Sequence, residues 1–89
     1  MDLKDTVNGM LSKDYKERFK AEYYQTQIRL SKLKTLLQKN DKDLGFKLSS
    51  PKDLYLMQIN GMKIYLKALE CRAKDEGIEL EVDKTVYDY

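Results

Sequence analysis

Phe19, Tyr23, Thr26, Leu30, Leu33 and Leu37 follow one another at alternating steps of four and three residues. This seven-residue repeat predicts a long helix from Lys13 to about Gln38, packed at a shallow angle against another helix. A second stripe on the same stretch runs through Ala21, Tyr24, Ile28, Ser31 and Thr35. Further along, Tyr55, Ile59, Met62, Leu66, Leu69 and Ala73 form one heptad stripe, and Met57, Gly61, Ile64, Ala68 and Cys71 form another. Only Asp53, Asn60, Lys63, Lys67, Glu70 and Lys74 make a polar strip on this second helix. One partner helix covers one stripe, so two stripes call for a second neighbour. The chain has no third long helix to supply it, which predicts that other copies of the protein do. The small residues Gly61, Ala68 and Cys71 suit close helix approach.

The punctuation agrees with two helices. Residues 39–49 are polar and contain Gly45, and they read as a connection from which Leu44, Phe46 and Leu48 tuck back onto the hairpin. In Ser50-Pro51-Lys52-Asp53, Ser50 is expected as the cap, Pro51 at the first helical position, and Asp53 at the positive end of the helix dipole. Gly77 is a natural residue just past the helix end. At the other terminus, Leu3 to Met10 predicts a short helix interrupted at Asn8-Gly9, and Ser12 is the expected cap of the first long helix. Ile78 to Val82 alternates like a short strand, either an edge or an arm onto a neighbour. The tail from Thr85 is expected to be mobile in part. The reading is an all-α fold: an antiparallel two-helix hairpin over about 13–76, a short N-terminal helix, and an extended arm over 78–89. It forms one domain over residues 1–89 and assembles as a homo-oligomer.

Size and composition strengthen the expectation of assembly. A chain of 89 residues gives a core of marginal stability, and such proteins add staples or partners. Cys71 is the one cysteine, and there is no histidine, so neither an intrachain disulfide nor a Cys/His zinc site is available. No metal or other cofactor is expected. No stretch approaches the roughly 20 apolar residues of a membrane span. The first residues, MDLKDTVNGM, lack the basic-then-apolar layout of a signal peptide. A lone cysteine suits a reducing compartment, so the expected location is the cytoplasm.

The net charge of +2 conceals an uneven distribution. Lys13 to Lys39 holds Lys13, Lys16, Arg18, Lys20, Arg29, Lys32, Lys34 and Lys39 against Asp14, Glu17 and Glu22, with no acid after Glu22. The end of the chain is acidic, with Asp75, Glu76, Glu79, Glu81, Asp83 and Asp88 against Lys84. A basic segment beside an acidic tail admits an anionic partner for the first half, or simply two solvated faces of opposite sign.

Catalysis has little to work with. Serine or cysteine nucleophiles usually need a nearby base, most often histidine, and none is present. No Gly-rich phosphate loop, metal-ligand spacing or dinucleotide fingerprint occurs, so no enzyme is expected and no catalytic residue is assigned. The positive signal is aromatic and basic interleaving at the start of the first long helix. Tyr15, Phe19, Tyr23 and Tyr24 lie among Arg18, Lys20 and Arg29. Aromatic faces stack on nucleobases, and cationic groups hold phosphates. Phe19 and Tyr23 also lie on the core stripe, and Arg29 and Lys32 also suit a solvated surface. Tyr15 is less obviously core and is the better ligand candidate. Glu22 and Thr26 can reach base edges or ribose.

The segment DYKERFKAEYYQTQIRLSKLKTLL (14–37), the SSP helix start and MQINGMKIYLKALECRAKDEGIEL (57–80) together resemble a family of small phage proteins. Its members share a helical hairpin found in anti-CBASS and anti-Thoeris proteins. The resemblance rests on Arg18, Phe19, Glu22, Arg29, Lys32 and Leu33 in the first helix. In the second it rests on Gln58, Met62, Tyr65, Leu66, Leu69, Glu70, Arg72 and Ala73, closing with Glu76-Gly77-Ile78. It implies a sponge in the host cytoplasm that binds cyclic nucleotide messengers of bacterial immunity without cleaving them. It implies a hexamer with cyclic dinucleotides between subunits, and in some members cyclic trinucleotides at a separate site. By position, Tyr15 looks like the base-stacking tyrosine and Arg29, where the family usually has lysine, like the phosphate ligand, with Lys32 as the fallback. Ser31 and Arg72 are candidates for the trinucleotide site. The anti-Thoeris branch usually carries a β-rich extension, which this chain lacks, so the resemblance favours the anti-CBASS branch. The rival readings are a sponge for a cyclic ADP-ribose isomer, a helical protein-interaction module, and nonspecific nucleic-acid binding, which the acidic tail disfavours.

Overall fold

A computed structural model describes residues 3–10, 14–42, 45 and 47–87. Helix α1 spans Leu3–Met10, α2 spans Tyr15–Lys42 and α3 spans Lys52–Glu76, followed by a 3₁₀ turn over Lys84–Tyr87. The long helices α2 and α3 pack on each other as an antiparallel hairpin, and α1 packs against α2. The molecule measures 45 × 24 × 18 Å. Its length is that of α2, whose 28 residues extend about 42 Å at 1.5 Å per residue.

The core follows the two heptad stripes. Tyr23, Leu30, Leu37 and Leu66 are fully buried, and Ile59, Leu69 and Ala73 nearly so. Leu33, Tyr55 and Met62 pack against this cluster. Each fully buried leucine contributes on the order of 1.5–3 kcal/mol by leaving water. The second stripe of α3 remains outside: Met57 is 68% and Ile64 72% exposed, and Gly61, Ala68 and Cys71 are exposed beside them. A Cβ placed on Gly61 would meet nothing within 4 Å. Nothing in the hairpin itself therefore requires a glycine there.

Several helix ends differ from expectation. The first long helix is capped by Asp14, whose Oδ1 accepts the N–H groups of Lys16 at 2.8 Å and Glu17 at 3.4 Å. A carboxylate at this position satisfies orphan donors and faces the positive helix end. The expected cap Ser12 lies outside the described residues, as do Leu44 and Phe46; Leu48 does pack against the core. Helix α1 continues through Asn8-Gly9 to Met10 rather than breaking there. Pro51, expected inside α3, is instead its cap residue, and no side chain caps that end. Its missing N–H is harmless at either position. Gly77 ends α3 at φ 70°, and the N–H of Ile78 reaches the Ala73 carbonyl at 2.8 Å. This six-to-one bond needs a left-handed residue, which glycine supplies without strain.

Residues 78–82 form no strand, since among the described residues no second strand lies alongside to receive their backbone hydrogen bonds. Their alternation persists as packing instead. Ile78 is buried and Leu80 packs against the core, while Glu79 and Glu81 face out. Val86, 1% exposed, anchors the 3₁₀ turn on the hairpin. Rather than projecting, the described part of the arm folds back onto its own chain. Lys34 Nζ donates to the Thr85 carbonyl at 2.6 Å, and the Glu81 N–H donates to the Tyr24 hydroxyl at 2.7 Å. Asp88 and Tyr89 lie outside the described residues.

Candidate functional site

Tyr15, Glu22 and Arg29 are spaced by sevens on α2, and Gln58, Tyr65 and Arg72 are spaced by sevens on α3. Residues seven apart share one side of a packed helix. Because the helices are antiparallel, the two series run past each other and meet in pairs. At one end an Arg72 Nη2 donates to the Tyr15 hydroxyl at 2.8 Å. One heptad along, the Tyr65 hydroxyl donates to Glu22 Oε1 at 2.9 Å. One heptad further, Arg29 and Gln58 line the same cleft. The edge of the hairpin thus carries a ladder of aromatic, cationic and carboxylate groups.

The Tyr15 end is a closed network. Tyr15 donates to Glu76 Oε1 at 2.8 Å while it accepts from Arg72, and Arg72 Nε donates to Glu76 Oε2 at 3.3 Å. The guanidinium lies 5.3 Å from the centroid of the Phe19 ring, within cation–π range. The Tyr15 and Phe19 rings are 6.2 Å apart and tilted. Phe19 is only 6% exposed and serves as the floor of this network. Tyr15, 46% exposed, presents its ring to solvent. The hydrogen bond to the Glu76 carboxylate raises the Tyr15 pKa, with the Arg72 charge opposing. Burial raises that of Tyr65, aided by Glu22 and again opposed by Arg72. Both phenols are therefore neutral donors at physiological pH.

Beyond Tyr65 lies a cleft of about 610 Å³, lined by Thr26, Arg29, Lys32 and Leu33 of α2 and by Gln58, Met62 and Tyr65 of α3. Its volume falls in the range of small-molecule sites. Of the residues singled out from sequence, the seam gathers Tyr15, Phe19, Glu22, Arg29, Lys32 and Arg72. Arg18 is exposed on the first turns of α2, outside these pairs. Ser31 is not near Arg72 in the protomer. It lines a second cleft, between α2 and the C-terminal segment. Tyr65, Gln58 and Glu76 belong to the seam but escaped assignment as ligand groups. The signal that marks the first two is the seven-residue spacing from Arg72.

Glu70 also departs from expectation. It belongs to the polar strip read along the second helix, yet its carboxylate is largely covered and accepts from two phenols, Tyr23 at 2.9 Å and Tyr87. Burial first, then this carboxylate, raises both tyrosine pKa values well above the ordinary range. Glu70 ties the tail to the hairpin and is not part of the seam.

Among the described residues no group of His, Cys, Asp or Glu could hold a metal ion, and no helix is long and apolar enough to cross a membrane. The fold defines a small helical-hairpin protein with an aromatic and charged seam along one edge. The Sequestin family model matches residues 13–75, which takes in both long helices almost entirely. The chain belongs to the Sequestin family. No curated protein and no solved structure matches it.

Proposed function

We propose that the protein is a sponge: it binds a small cyclic nucleotide messenger at the hairpin seam, holds it intact, and so keeps it from its effector. The observation that carries this reading is the ladder of Tyr15–Arg72, Glu22–Tyr65 and Arg29–Gln58 beside a cleft of about 610 Å³. Arg29, Lys32 and Arg72 are suited to phosphate, and Tyr15 and Tyr65 offer ring faces for bases. The family's name denotes sequestration, which agrees with a binder that releases no product. The ligand class proposed first is a cyclic dinucleotide of the cyclic GMP–AMP type, with cyclic trinucleotides as further members. It has two phosphates and two bases in approximate two-fold symmetry. A two-fold contact between copies, through the open stripe of α3, would offer each half the same groups.

A second reading is favoured by a specific feature of the seam. Glu22 and Glu76 place carboxylates beside the arginines. Carboxylates repel phosphate but accept from ribose hydroxyls. A cyclic ADP-ribose isomer, with a pyrophosphate and free ribose hydroxyls, matches such an alternation of charge. Isothermal titration against cyclic di- and trinucleotides and cyclic ADP-ribose isomers tests both. The expected result is nanomolar binding of one class, with intact ligand recovered after denaturation. Recovery of a hydrolysed product would replace the sponge with an enzyme, and silence toward the whole panel would leave a protein-interaction module.

A further inference from the structure

The segment 78–87 is anchored to the hairpin at both ends. Ile78 is buried at one end and Val86 at the other. Tyr87 adds a hydrogen bond to Glu70 and a cation–π contact with Lys67, whose Nζ lies 5.5 Å from the ring centroid. Between the anchors the segment is tied to α2 twice, through the Glu81 N–H to the Tyr24 hydroxyl and through Lys34 Nζ to the Thr85 carbonyl. This stretch carries Glu79, Glu81 and Asp83, all exposed. Its acids are therefore fixed in place and not carried on a loose tail.

They are fixed along one flank of α2, and that flank is basic. Glu79 and Glu81 wall a cleft of about 470 Å³ together with Lys20 and Tyr24. Glu81 and Asp83 wall the neighbouring cleft with Lys32. The Asp83 carboxyl is held below its ordinary range chiefly by the Thr85 hydroxyl and N–H, and the Lys34 charge adds to them. A cleft of about 470 Å³ is only about one screening length across at physiological salt, so charges on its walls act on one another without touching. After Glu22, α2 supplies no acid to this flank up to Lys39.

We propose that the C-terminal segment is a built-in guard against nucleic acids: its carboxylates oppose the Lys20, Lys32 and Lys34 flank of α2 and keep a phosphate backbone from settling there. A row of lysines along one helix is the footprint that a phosphate polymer binds without regard to sequence. Such binding, at about 10⁻⁴ to 10⁻⁶ M, would keep a small basic protein occupied wherever nucleic acid is in excess. A disordered acidic tail would lose conformational entropy each time it covered the lysines. Here Ile78 and Val86 hold the acids over them as part of the fold. Lys20 and Lys34 do not line the seam cleft, so the guard stands whatever ligand the seam takes.

Glu79→Gln/Glu81→Gln tests it. Both changes keep side-chain size, and the backbone bond to Tyr24 remains, so the melting temperature is expected to move little. Fluorescence anisotropy with a short DNA duplex of mixed sequence, at about 0.15 M salt, reads the binding. The natural protein is expected to bind no tighter than about 10⁻⁴ M, and the variant about tenfold tighter with a steeper salt dependence. Asp53→Asn/Asp75→Asn makes the same change in net charge on exposed positions of α3 and is expected to gain little. Adding Lys20→Gln/Lys34→Gln to the tail variant is expected to abolish the gain. Equal gains in the two double variants would reduce the effect to net charge and overturn the guard. So would a natural protein that already binds the duplex at micromolar concentration, or a tail variant that binds no tighter than the natural protein. Should the tail variant fail to fold, Glu79→Gln alone carries the same test with an expected gain of about threefold.

Discussion

Tyr65 on α3 donates a hydrogen bond to Glu22 on α2 at 2.9 Å, the middle rung of the seam. The pair is partly exposed, so its net contribution to stability is about 0.5–1.5 kcal/mol or less. Its weight should fall on ligand binding. Tyr65→Phe keeps the ring and deletes the donor, whereas Tyr65→Ala deletes both. If the ring stacks on a base, Phe is expected to hold messenger affinity within about threefold and Ala to lose about 1–3 kcal/mol of binding. Titration calorimetry on the two variants reads the difference.

Arg72 stands between Tyr15, Phe19 and Glu76. Its bridge to Glu76 is solvent-exposed and adds little to folding. Arg72→Ala is therefore expected to shift stability by less than about 1 kcal/mol while weakening an anionic ligand about tenfold or more. Arg72→Lys should recover only part of that loss, since the forked geometry is gone. Equal losses of stability and binding would give Arg72 a structural role instead.

The exposed stripe of α3 makes the proposed self-association testable without ligand. Ile64 is 72% exposed in the protomer, so Ile64→Asp is expected to leave helicity unchanged by circular dichroism. In sedimentation the natural protein should run as a multiple of its 10.5 kDa mass and the variant as a single copy. A natural protein that already sediments as one copy at micromolar concentration would remove the two-fold ligand site. Gly61 tests the same face. Gly61→Ala meets no neighbour in the protomer and should stabilise the helix by roughly 0.5–1 kcal/mol. Gly61→Leu should separate the copies if they approach closely there.

Tyr23 and Tyr87 both donate to Glu70, and their pKa values are raised by burial and by that carboxylate. A folded-state pKa above the unfolded value contributes stability that is complete below the unfolded pKa of about 10 and fades as pH rises through the folded value. Melting temperature should therefore be insensitive to these groups through neutral pH and fall above about pH 10. Glu70→Leu leaves the buried Tyr23 and the partly buried Tyr87 without their acceptor and is expected to cost about 1–3 kcal/mol at neutral pH. It should also loosen the tail, measurable as faster amide exchange at Val86 and Tyr87.

Leu66 is fully buried at the centre of the hairpin. Leu66→Ala is expected to cost about 2–5 kcal/mol, enough to unfold much of a small domain. Chemical denaturation with urea measures it.

The elements that sequence pattern settles here are those governed by contacts within one helix. The steps of three and four through Phe19, Tyr23, Leu30 and Leu37 place those residues inside, and the second stripe through Met57 and Ile64 is left outside. Gly77 ends α3 in the left-handed conformation expected of it. Helical period, end signals and face composition depend on neighbours three, four and seven residues away, and these are written in the chain. The alternation of Ile78 and Leu80 was legible too, but alternation describes which side chains turn inward and not what backbone lies alongside.

What only the tertiary structure decided is how the pieces meet. Neither helix by itself says that Tyr65 faces Glu22 or that Arg72 reaches Tyr15, because the axial offset of α3 against α2 is set by the connection and by the packed core. Glu70 looked like a surface residue until the returning tail brought Tyr87 onto it. Pairings across tens of residues arise from the geometry of packing, which no local spacing encodes.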